Sequence, residues 1–184
     1  MGKSGRVPDY ANTYLPDFLL HTDVLQLDSE NCGDAIGYLT LTSATYFQFH
    51  LDKIEIAGYS NSKGWDAIID LSNDFIPAPR KVVEDIAAQL FPGDTDDTSL
   101  FPVDCNAQFA ELQLSFGGLQ LSVKAEDMIV ESCLQWTPGD CYFALEPTDS
   151  TGFGPEVTLG APFFRQYCNI FDIGNKRVGF ANHK

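Results

Sequence analysis

Apolar and polar residues alternate in short runs along most of this chain, and a period of two limits those runs to strands. Tyr38-Leu39-Thr40-Leu41-Thr42, Phe47-Gln48-Phe49-His50-Leu51 and Ile54-Glu55-Ile56 each put every second side chain on one face. Leu112–Phe116 and Leu119–Val123 repeat the pattern around Gly117-Gly118, which reads as a tight hairpin. Trp65–Leu71 is a short, mostly apolar run that suits a buried strand. It delivers Asp70 to a strand end, where functional side chains are often displayed. Further strands are expected at Met128–Gln135, Cys141–Leu145, Val157–Leu159, Asn169–Asp172 and Arg177–Ala181. Gly58–Gly64 reads as a polar loop and Ala125–Met128 as one helical turn.

One segment departs from this period. Ile76-Pro77-Ala78-Pro79 breaks the chain, and Val82, Val83, Ile86 and Leu90 then fall on one face of a helix from about Pro79 to Phe91, stopped by Pro92-Gly93. Many short strands with one main helix predict a mainly β fold. With 184 residues, 44% of them hydrophobic, the chain suits one domain with a sizeable core. Residues 1–31 have weak periodicity and read as an irregular arm, with a strand near Asp17–Leu27; residues 32–184 form the domain.

Eleven Lys and Arg against twenty-six Asp and Glu leave a net charge of −15. No basic stripe is present to neutralise phosphates, which argues against nucleic acid as a partner. The charge also disfavours anionic membranes, and no stretch is long and apolar enough to span one. Asp94-Thr95-Asp96-Asp97 has Ser99 and Cys105 where a calcium loop needs Gly and Glu, so it reads as a solvated loop. His21, His50 and His183 are scattered and fit no nucleophile–base pairing. There is no nucleophile elbow, P-loop or complete dinucleotide fingerprint; Gly152-Phe153-Gly154 is a loop. Ser72 has no histidine near it in sequence, and Trp65 and Trp136 read as packing residues. No cofactor is expected.

The five cysteines are Cys32, Cys105, Cys133, Cys141 and Cys168. None is paired at the short spacing of zinc or redox sites, so no metal site is expected. Wide separation suits disulfides in an oxidising compartment, with one thiol left over. The start Met1–Tyr10 nevertheless has no apolar signal core, and Arg6 stands where myristoylation needs Ser or Thr, so cysteines and N-terminus disagree about compartment.

The run Ala67-Ile68-Ile69-Asp70-Leu71-Ser72-Asn73 drives two buried-type residues into one aspartate and a polar turn. Read with Leu159–Cys168 and Phe171–Ala181, it resembles the C-terminal lobe of a pepsin-like aspartic protease, which carries Asp-Thr-Gly-Thr/Ser at this point. Asn31-Cys32-Gly33, Ser43–Phe49, Gly58–Trp65 and Phe101–Cys105 look especially like the nematode branch of that family. So do the Gly117-Gly118 hairpin and Glu126-Asp127-Met128. The resemblance runs from about Cys32 to Ala181.

It implies a lobe of orthogonally packed sheets with Asp70 at the catalytic position, in a secreted or lysosomal setting. It also implies a Cys105–Cys141 bridge and a second bridge between Cys32 and Cys168, with Cys133 spare. The partner lobe of such proteases carries a second Asp-Thr/Ser-Gly loop and a flap. Residues 1–31 are too few to form it, and none of Asp9, Asp17, Asp23 and Asp28 is followed by Thr/Ser-Gly. The family's chemistry uses two carboxylates sharing one proton. Here Leu71 replaces a hydroxyl that braces the pair, Ser72 replaces the glycine, and Ala161 stands where the family often has Asp. The expected function is that of a single-lobe homologue, catalytically inactive and acting by binding protein or peptide. Self-association through the inter-lobe face is one form of that binding. The competing expectation is an aspartic endopeptidase, active as a homodimer or within a longer two-lobed chain.

Overall fold

The computed structural model describes residues 28–92, 100–131, 139–149 and 154–184, and there the alternating runs become short strands. In chain order they are β1 (Cys32–Thr40), β2 (Phe49–Leu51), β3 (Lys53–Ile56), β4 (Tyr59–Asn61), β5 (Trp65–Ile69) and β6 (Ile76–Pro79). Helix α1 (Arg80–Leu90) follows, then β7 (Pro102–Val103), β8 (Leu112–Phe116) and β9 (Leu119–Val123). A 3-10 turn, Ala125–Met128, leads to β10 (Ile129–Glu131), β11 (Cys141–Phe143), β12 (Leu145–Thr148) and β13 (Val157–Leu159). The chain closes with the short helix α2 (Ala161–Phe164), β14 (Tyr167–Asp172) and β15 (Arg177–His183). This is the mainly β architecture of a pepsin-like lobe.

The strands form small sheets. β3 joins β4 and the β8–β9 hairpin in the order β4-β3-β8-β9, β5 lies between β13 and β2, and β15 lies between β1 and β14. The hairpin turn needs glycine twice, because Gly117 and Gly118 have φ of 53° and 94°. Helix α1 buries Val82, Val83, Ile86 and Ala87 and leaves its charged residues outward. Phe49, Trp65, Phe116, Phe143, Phe163 and Phe180 pack in one continuous core. Cys32, Cys168, Ile170 and Ala181 form a separate small cluster on the other face of the β1–β15–β14 sheet.

Several sequence expectations change. Ile76–Pro79 is a strand, paired in parallel with β12 from Ile76↔Leu145 to Pro79↔Thr148. A parallel ladder to one neighbour uses alternate residues, so prolines at 77 and 79 leave the intervening amides to donate. The Ile76 amide reaches the Ala144 carbonyl at 2.7 Å. The Gly58–Gly64 loop contains β4, turned back by Ala57 and Gly58 at positive φ. β1 begins at Cys32, well before Tyr38, because register shifts between Cys32 and Gly37 interrupt its alternation. The expected Cys141–Leu145 strand divides at Ala144, since β11 pairs with β10 and β7 whereas β12 pairs with β6. The arm before residue 28, its strand at Asp17–Leu27, the acidic run Asp94–Asp97, Cys133 and Trp136 lie outside the described residues.

Gly160 decides how closely α2 approaches the loop after β5. A Cβ there would lie 2.0 Å from the Phe75 carbonyl oxygen and 2.5 Å from that of Asn73, both backbone atoms with no freedom to yield. The same approach lets the Ala161 amide donate to the Asn73 carbonyl at 2.8 Å. We expect Gly160→Ala to cost at least about 2 kcal/mol by overpacking. For a chain of this size that lowers Tm by roughly 4–8 °C, read by thermal denaturation. An unchanged Tm would show that the loop can retreat from α2.

Candidate active-site loop

Asp70 sits where the burial of β5 ends. Trp65 and Ala67 are buried, β2 pairs antiparallel with the front of the strand, and β13 runs parallel to its end through Leu159↔Ile69. The Asp70 amide donates to the Leu159 carbonyl at 3.1 Å, just past the end of the β5–β13 ladder. The chain then turns: the Asn73 amide donates to the Asp70 carbonyl at 3.3 Å, and the Phe75 amide to Asn73 Oδ1 at 3.0 Å. Asp70 is therefore held by strand pairing on one side and by an asparagine-anchored turn on the other.

The carboxylate is engaged by its own loop. Asp70 Oδ1 accepts from the Ser72 hydroxyl at 2.7 Å and from the Ser72 amide at 2.9 Å. These bonds hold the Asp70 carboxyl below its usual range, the hydroxyl more strongly than the amide. Leu71 turns outward and is 46% exposed, the reverse of what its apolar side chain favours in an isolated chain. Asn73 braces the loop through its side-chain oxygen, as a replacement for a hydroxyl residue can.

The two bridges implied by resemblance are formed. Cys32 and Cys168 join the start of β1 to β14 with Cα atoms 6.1 Å apart. Cys105 and Cys141 join the segment after β7 to β11 at 5.2 Å. Neither lies in the Asp70 loop. An open groove of about 510 Å³ among the described residues is lined by residues such as Ala57, Phe91, Val103 and Phe109, and it too contains nothing from that loop. Among the histidines, His50 faces Asp52 at 3.7 Å, and His21 lies outside the described residues. Sequence reasoning passed over His183, whose Nδ1 comes within 3.3 Å of Cys168 Sγ. The β14–β15 register creates that proximity, which the sequence between the two residues does not announce.

The eukaryotic aspartyl protease family model matches residues 26–183. Aspartic protease 6 of Caenorhabditis elegans is 41% identical over 155 residues, covering 84% of this chain and 39% of that protein. Aspartic protease 2 of Necator americanus is 34% identical over 84% of the chain and 35% of its own length. Pepsin A of Bos taurus is 27% identical, again over 84% of the chain and 41% of its own length. The chain belongs to the eukaryotic aspartyl protease family. It spans about two fifths of the length of the curated relatives it matches.

Removing the Ser72 hydroxyl should release part of Asp70's bias. We expect Ser72→Ala to raise the Asp70 pKa toward its ordinary value, as followed by carboxyl-carbon NMR titration. A depressed carboxyl contributes stability above its unfolded pKa and loses it as pH falls through the folded value. The variant should therefore lose that contribution at a higher pH than the parent. An unmoved Asp70 titration would assign the shift to the backbone amide alone.

Proposed function

We propose that this chain is a non-catalytic member of the aspartyl protease family that acts by binding protein or peptide. The supporting observation is the Asp70 loop: its carboxylate is closed on by Ser72, and Leu71 points outward at 46% exposure. Proteolysis of the family's type needs two carboxylates that share a proton around a water, so one must accept a proton while its partner gives one up. Hydrogen bonds to the charged form favour an ionised Asp70, which opposes the protonated role. Leu71 offers no hydroxyl to steady a second carboxylate. A buried polar group left facing it would cost about 1–3 kcal/mol.

Binding is favoured by what this lobe leaves uncovered. Among the described residues β1 is an edge strand of its sheet, and Ile36 and Tyr38 on it are 40% and 42% exposed. An unpaired strand edge with apolar side chains is a template for another chain. Self-association through the face that would meet a second lobe is the simplest form of this reading.

The test is digestion of a denatured protein substrate at acidic pH by the purified chain and by Asp70→Ala. Each is assayed with and without a tight-binding aspartic protease inhibitor. We expect no cleavage above background in any arm, because loss of a catalytic constellation removes several orders of magnitude in rate. Inhibitor-sensitive cleavage abolished by Asp70→Ala would overturn the proposal and establish an endopeptidase working as a homodimer. Light scattering on the same samples reads self-association directly.

A further inference from the structure

Cys32, Cys168 and His183 are the only three metal-ligating side chains that converge among the described residues, with their ligand atoms within 4.8 Å of one another. The fold assembles them from both ends of the chain. Cys32 pairs with His183 across β1 and β15, and Cys168 pairs with Ala181 across β14 and β15. The cluster lies on the face of this sheet away from the main core, and it is remote in kind from the Asp70 loop, since no residue is shared.

The histidine fixes the chemistry. His183 Nε2 lies 3.3 Å from the Phe164 carbonyl oxygen, which can only accept. Nε2 therefore carries the proton of the neutral ring, and Nδ1 presents a lone pair. That lone pair faces Cys168 Sγ at 3.3 Å. A disulfide sulfur has no proton to give, so in the bridged, neutral state this contact has no hydrogen in it. A thiol at Cys168 supplies one, and a metal ion supplies an electrophile for both atoms. A carbonyl that holds the far nitrogen of the imidazole is also the usual outer partner of a metal-bound histidine.

We propose that the reduced cluster of Cys32, Cys168 and His183 is a Zn²⁺ site, so that one place holds either a disulfide or a metal and never both. An external dithiol delivers two electrons and two protons, the S–S bond breaks, and two thiols form while the dithiol becomes a disulfide. Zn²⁺ then displaces both thiol protons and binds two thiolates and Nδ1. His183 is exposed, so water reaches the fourth position. Tetrahedral zinc with Zn–S near 2.3 Å and Zn–N near 2.0 Å needs sulfur–nitrogen separations of about 3.5 Å and a sulfur–sulfur separation of about 3.7 Å. The Cys168–His183 contact is already close to the first value, and side-chain rotation supplies the second once the bridge opens. This inference is independent of the Asp70 proposal.

The test is titration of the full chain with Co²⁺, with and without a trialkylphosphine reductant, followed by absorbance. We expect the reduced chain to develop thiolate-to-cobalt charge-transfer bands and the strong visible bands of tetrahedral cobalt, displaced by Zn²⁺. The oxidised chain should show neither. His183→Ala, an exposed residue near the end of β15, should weaken binding at least about tenfold, and Cys133→Ser should leave it unchanged. Absence of thiolate bands, equal bands in the oxidised chain, or affinity unchanged in His183→Ala would overturn the proposal. So would unfolding of the reduced chain by circular dichroism, because the cluster exists only on the paired β1–β15–β14 sheet.

Discussion

The pairing of β5 with β13 is the constraint on which the site depends. β5 is short and its anchors, Trp65 and Ala67, are buried. It is held in place by β2 on one side and by a parallel partner from ninety residues later on the other. That parallel partner ends at Leu159, whose carbonyl fixes the Asp70 amide, and Gly160 then lets α2 press against the carbonyls of Asn73 and Phe75. The geometry of the aspartate is thus set by backbone contacts from three segments and only secondarily by its own turn. A close-packed interior transmits any change at these contacts, which is why a single methyl group at residue 160 matters to a loop ninety residues away.

Within that frame the loop chemistry is local. Ser72 satisfies the Asp70 carboxylate from two residues away, and Leu71 has no role in that network. An aspartate served by its own loop is stable as an anion and is poorly suited to hold a proton for another carboxylate. The fold sets where the aspartate stands, and the loop around it holds the carboxyl below its usual range. Membership of a protease family and proteolytic activity are separate properties, because the first rests on the sheets and the second on a handful of polar atoms.

The cysteine chemistry shows the same separation between chain order and space. Residues 32, 168 and 183 are distant in sequence, and their proximity follows from β15 lying between β1 and β14. A histidine lying between a carbonyl and a sulfur is an arrangement that spacing along the chain does not announce. The scattered appearance of the three histidines in the sequence concealed it.

Local pattern determined the strand class, the α1 helix and the Gly117-Gly118 hairpin, because period, capping and positive-φ demand are properties of neighbouring residues. The aspartate at a strand end, with Leu71 and Ser72 after it, was equally legible, since loop composition is read directly. Other elements depended on partners. Ile76–Pro79 looked like a break because proline opposes strands in isolation, and it became a strand only when β12 offered a parallel edge that uses alternate amides. The early start of β1 was hidden by bulges that only its register against β15 defines. The tight fit at Gly160 and the meeting of His183 with Cys168 likewise required the sheets to be assembled. Sequence by itself determined what each segment could be; tertiary structure decided which segments met, because contacts between distant residues are set by the packing of whole sheets and not by the residues beside them.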